Sequence, residues 1–104
     1  MQLLTNVVGM FAVREFSPAA MSLQEDSLLH LAFEPHNTYD PNAILVNSPD
    51  GEKIGYIPRD KTAVIHEALR DFPSSPVIAH VATISFKKNR ITSLLIIVTN
   101  EPTL

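Results

Sequence analysis

The chain has no cysteine, only three glycines and no excess of positive charge, and each shortage removes a class of function. Without cysteine there is neither a disulfide framework nor a thiolate zinc site, a composition that fits a reducing cytosol. Three glycines in all cannot build a phosphate-cradling loop, and neither G-x-G-x-x-G nor a P-loop is present. G-x-S-x-G is missing too, so no enzyme is expected. His30, His36, His66 and His80 are scattered, with no H-E-x-x-H spacing, and neither a metal nor another cofactor is expected. Eight Lys and Arg stand against eleven Asp and Glu, a net charge of -3. That balance argues against tight, non-specific binding to a nucleic-acid backbone but is compatible with a local basic patch. The longest apolar run, Leu94-Leu95-Ile96-Ile97-Val98, is far too short to span a bilayer. Met1-Gln2-Leu3-Leu4 lacks the basic and apolar regions of a signal peptide. The expectation is a cytoplasmic, free-standing protein that makes no use of a membrane.

At 104 residues and 45% hydrophobic content the chain is long enough for one domain, residues 1–104, with a modest core. Leu3 to Val13 reads as a first strand, in which Gly9 marks a bulge or a close backbone approach. Ser17 and Pro18 open a short helical turn, as N-cap and first helical residue. Leu28 to Phe33 is a second strand, and Ala43 to Asn47 and Lys53 to Ile57 form a hairpin about Ser48-Pro49-Asp50-Gly51. Asp60 is the expected cap of the main helix, whose apolar face holds Val64, Ile65, Ala68, Leu69 and Phe72. Val77 to Phe86 and Ile91 to Thr99 form a last hairpin, turned at Lys87-Lys88-Asn89-Arg90. Six short strands and one main helix make a mainly β protein, most economically a small barrel capped by the helix. The apolar last strand is expected to be covered on both sides, which leaves room for a homo-oligomer.

Between the second and third strands lies Glu34-Pro35-His36-Asn37-Thr38-Tyr39-Asp40-Pro41-Asn42, where two prolines and two asparagines exclude regular structure. Tyr39-Asp40 reads in two ways. As a site, the tyrosine stacks on a base while the carboxylate accepts a hydrogen bond from a sugar hydroxyl and repels a phosphate. As plain structure, Asp40 closes an Asx-turn and Tyr39 packs on the barrel. His36 shares this loop. Arg59 at the start of the main helix, with Lys61 and Lys53, is either a phosphate contact aided by the helix end or a solvated cation. Lys87 and Lys88 are either phosphate contacts or a charged turn that keeps the hairpin soluble.

Val8-Gly9, Glu34-Pro35, the run Asn37-Thr38-Tyr39-Asp40-Pro41-Asn42-Ala43-Ile44-Leu45-Val46 and the run Gly51-Glu52-Lys53-Ile54-Gly55-Tyr56-Ile57-Pro58 together resemble the signature of the HIRAN domain. That module occurs in some DNA translocases and as free-standing bacterial proteins. The resemblance implies a small six-stranded OB-like β-barrel and a partner, single-stranded DNA with a free 3′ end, in a DNA repair or processing context. It implies that Tyr39 stacks on the terminal base, that Asp40 accepts the 3′-hydroxyl, and that Tyr56 and Arg59 line the same pocket, Arg59 facing phosphate. One departure stands out. DNA-end-binding members carry a basic residue and an aromatic after Val-Gly, whereas this chain has Met10-Phe11-Ala12-Val13, so Phe11 would serve as the aromatic from a shifted position. With the net charge of -3, this implies weaker DNA binding than in those members. A separate helicase or nuclease is a candidate partner. The rival readings are a protein-interaction or oligomerisation module, and a metal-dependent hydrolase built on Asp40, Asp50 and His36.

Overall fold

Alternating side chains give most of the six strands one face for the core, while the strand Ile44–Asn47 is buried on both faces, and pairing these segments curls the sheet. The computed structural model describes residues 1–10 and 15–100. Its elements run β1 (Gln2–Asn6), α1 (Pro18–Met21), β2 (Leu28–Phe33), β3 (Ile44–Asn47), β4 (Lys53–Tyr56), α2 (Thr62–Asp71), β5 (Ile78–Lys87) and β6 (Arg90–Thr99). The strands lie in the order β1-β6-β5-β2-β3-β4, every neighbouring pair antiparallel. The result is a curled half-barrel with one main helix. Ile44, Val46 and Ile54 meet Val81, Ile96 and Val98 in its interior, each fully buried, with Ile65 entering from α2. Cutting one of these isoleucines to alanine costs about 2–5 kcal/mol.

The expected first strand, Leu3 to Val13, stops at Asn6. Gly9 adopts φ +82°, a left-handed conformation that glycine enters without steric cost. Val7 still donates to the Leu94 carbonyl at 2.9 Å, and Val8 then exchanges hydrogen bonds of 2.9 and 2.8 Å with Tyr56 at the opposite edge. This bridge ties the two ends of the curled sheet together. Of the two readings of Gly9, a bulge or a close backbone approach, the second is not met, since a Cβ there would reach Tyr56 Cδ2 at an ordinary 3.7 Å. The tight approach falls at Gly55, where a Cβ would stand 2.5 Å from the Val8 carbonyl oxygen and 2.7 Å from the Val7 side chain. Phe11 and the rest of 11–14 lie outside the described residues.

Ser17 caps α1 as expected, its Oγ accepting from the Ala20 amide at 3.2 Å, with Pro18 the first helical residue. The cap is also fastened to the β3–β4 hairpin: the Ser17 amide donates to Glu52 Oε2 at 3.1 Å, and its hydroxyl donates to the other carboxylate oxygen. Gly51 closes that hairpin with φ +87°. The expected cap at Asp60 is not formed. A single 3-10 turn, Arg59–Lys61, precedes α2, so the helix starts later, at Thr62, whose hydroxyl donates to the Arg59 carbonyl at 3.0 Å. Of the expected apolar face, Ile65 and Ala68 are buried, together with Thr62, Leu69 is half-buried, and Val64 and Phe72 are exposed at 41% and 42%.

Among the described residues, β6 buries one face fully in the core. Leu94, Ile96 and Val98 enter the core, while Leu95 and Ile97 belong to the outer face. Register places Leu4, Ile97, His80 and Leu28 in one row across β1, β6, β5 and β2. Leu4 and Leu28 at the ends of the row are 60% and 58% exposed, while Ile97 and His80 between them are half-buried. Among the described residues, no helix is long and apolar enough to cross a membrane.

Candidate nucleic-acid interface

The loop between β2 and β3 is shaped by its own polar side chains. Asn37 Oδ1 accepts from the amides of Tyr39 and Asp40 at 2.9 and 3.0 Å, and its Nδ2 donates to Glu34 Oε1 at 3.0 Å. Asp40 Oδ1 accepts from the Asn42 amide at 2.9 Å, and the Asp40 carbonyl accepts from Ala43 at 3.0 Å. The bonds accepted by Asn37 Oδ1 and Asp40 Oδ1 are of the Asx-turn kind that asparagine and aspartate form with nearby amides. From outside, His66 on α2 clamps the loop end: its Nε2 lies 3.1 Å from the Asn42 carbonyl, and its ring is 5.3 Å from Phe33. A backbone held at so many points presents Tyr39 in a fixed place, and that side chain is 92% exposed.

Below Tyr39 is a shallow groove of about 360 Å³. Tyr39, Asp40, Tyr56 and Arg59 line it, with Asn37 and Val8. The loop supplies one wall, and the bridge that joins the sheet ends supplies the other through Val8 and Tyr56. Asp40 therefore holds two positions at once. Its Oδ1 is committed to the turn, while Oδ2 faces the Arg59 Nε at 3.5 Å. The Arg59 side chain is 78% exposed and that of Asp40 19%. So open an ion pair contributes about 0–1 kcal/mol and exchanges readily with another partner. The two readings of Asp40, turn residue and acceptor, are compatible because each uses a different oxygen.

The other candidates separate. His36 lines a neighbouring hollow of about 420 Å³ with Phe33, Glu34 and Pro35. Asn37 and Tyr56 belong to both hollows, which makes Tyr56 the partition. Lys53, singled out in the sequence only as one of three cations, stands with its Nζ 5.7 Å from the centre of the Tyr56 ring. Lys61 is half-buried in the 3-10 turn and is not among the groove-lining residues. Lys87 and Lys88 line a different hollow, with Glu15, Asn89 and Arg90. His66 is the contributor that local sequence signals miss, because its contact spans 24 positions. Among the described residues no group of three or more His, Asp or Glu is placed to hold a metal ion.

Comparison with known proteins agrees with the motif. The HIRAN domain family matches residues 4–99. The crystal structure of the HIRAN domain of human HLTF superposes with a TM-score of 0.69 at 21% identity, covering 95% of this chain and 74% of that one. A Lactobacillus plantarum protein solved by structural genomics gives 0.68 at 23% identity, covering 97% of this chain and all of its own. At such identities the superpositions speak for the fold. No curated protein matches the chain. Since the family match runs through nearly every described strand and includes both motif runs that build the groove, the chain belongs to the HIRAN domain family.

Proposed function

We propose that this domain is a non-enzymatic nucleic-acid-binding module that captures the free 3′-hydroxyl end of single-stranded DNA in the groove under Tyr39. The observation that carries the reading is the division of Asp40: one oxygen fixes the loop, and the other is presented to the groove beside an exposed aromatic ring. A base stacks on Tyr39, a contact worth about 1–3 kcal/mol. The terminal hydroxyl donates to Asp40 Oδ2. Arg59 and Lys53 supply positive charge at the groove and beside its Tyr56 wall. A device that holds an end without cutting it suits DNA repair or processing in the cytoplasm, beside a separate helicase or nuclease.

Fluorescence anisotropy at low salt tests this, with short single strands of one sequence ending in either a 3′-hydroxyl or a 3′-phosphate. The hydroxyl strand is expected to bind more tightly. Binding of neither strand sinks the proposal.

A second reading is favoured by one observation. The outer row Leu4, Ile97, His80 and Leu28 is apolar apart from His80, and its end leucines are exposed, as an oligomer contact would be. Sedimentation across a concentration series distinguishes the two: a stable dimer that binds no oligonucleotide would favour association over end capture.

A further inference from the structure

Within the groove the charges are one carboxylate and one guanidinium. Among the described residues that line it, Asp40 is the sole acid and Arg59 the sole base. They face each other at 3.5 Å. Asp40 is the smaller and more sheltered partner, tied through Oδ1 to the Asn42 amide. Arg59 extends from the 3-10 turn before α2 and is mostly in solvent. The carboxylate that would select against a charged chain end is thus neutralised in place by a neighbour.

We infer that Arg59 is the residue that sets how strictly the groove selects chain ends, by compensating Asp40 and so making a terminal phosphate tolerable. This rests on the reading of the groove as an end-binding site. A terminal phosphomonoester carries about 1.5–2 negative charges at neutral pH, against none for a hydroxyl. Beside a bare carboxylate that charge is repelled strongly; beside a carboxylate–guanidinium pair it meets a near-neutral site with five N–H donors. Arg59 also competes for the Oδ2 lone pairs that a hydroxyl needs. Its removal has two opposed effects on a hydroxyl end, a lost cation and a freed acceptor, and only one effect on a phosphate end.

The test compares the two oligonucleotides of identical sequence on wild type, Arg59→Ala, Arg59→Lys and Asp40→Asn. Circular dichroism confirms folding, which an exposed Arg59 side chain and an isosteric Asp40→Asn both permit. In Arg59→Ala, affinity for the phosphate end falls about tenfold or more while the hydroxyl end loses no more than about threefold, so selectivity widens. Arg59→Lys keeps the charge and stays near the wild-type ratio. Asp40→Asn leaves little preference for either end. Equal losses on both strands in Arg59→Ala overturn the inference alone, since Arg59 would then be an ordinary backbone contact. Wild type that binds neither strand overturns the end-binding reading, and the inference with it.

Discussion

Two exposed polar regions of this domain carry residues suited to nucleic acid, and they differ in how they are held. In the loop before β3, Asn37, Asp40 and His66 fix the backbone through side-chain bonds, so Tyr39 projects from a rigid base. At the β5–β6 tip, Lys87, Lys88, Asn89 and Arg90 are all exposed. Beyond the strand ladder, the tip's backbone is tied to the rest of the protein by the Asn89 carbonyl, which accepts from Phe16 at 3.2 Å. A cation on a long, free side chain loses rotamer entropy when it grips a ligand, whereas a ring presented by a fixed loop has little left to lose. Charge alone would rank the tip first. Preorganisation ranks the loop first.

The largest effect is expected from Gly55→Ala, which strikes the loop side and spares the tip. The new Cβ would lie 2.5 Å from a backbone oxygen, which cannot rotate away as a side chain can. The bridge between Val8 and Tyr56 must open, at about 3 kcal/mol, with loss of the groove wall. A urea titration reads the first change, and oligonucleotide anisotropy the second. Gly51→Ala is the control: its Cβ meets open space, but φ +87° still carries a penalty of about 1–2 kcal/mol. Next comes Tyr39→Ala, expected to weaken single-strand binding by about 1–3 kcal/mol with the melting temperature unchanged, since the ring is 92% exposed. Asn37→Ala falls between structure and binding. It frees the amides of Tyr39 and Asp40, and weaker binding without a change in global stability would show that loop order itself contributes affinity.

Much of the fold was legible because its signals are local. Leu28–Phe33 is a strand with the expected bounds, and Ser17-Pro18 caps and opens α1 as its chemistry dictates. Asp60 failed because a 3-10 turn intervenes, a choice between two nearly equivalent first turns that propensity does not resolve. β1 ends at Asn6, and Val8 beyond it pairs across to Tyr56 instead, an exchange of partners that no local pattern announces. In the candidate site, the Asx chemistry of Asn37 and Asp40 could be read from sequence, since those bonds span two or three residues. The Asp40–Arg59 pair, the Lys53 contact with Tyr56 and the His66 clamp depend on where elements land, which no local pattern encodes. The division of His36 from Asp40 by the Tyr56 wall has the same origin.

The smallest expected effect sharpens the comparison from the other side. Lys88 holds φ +57°, a left-handed conformation that glycine adopts without the penalty of a side chain. Lys88→Gly removes that strain and one charge together. Stability is expected to rise by up to about 1 kcal/mol, offset in part by the greater freedom of glycine in the unfolded chain. If the tip touches DNA, the slope of log affinity against log salt falls by no more than about 0.7, the share of one phosphate on a single strand. Lys87→Ala, which carries no such strain, separates charge from backbone. A drop well beyond one phosphate in either variant would mean that the tip, not the loop, is where the strand is gripped, and would reverse the ranking of the two regions.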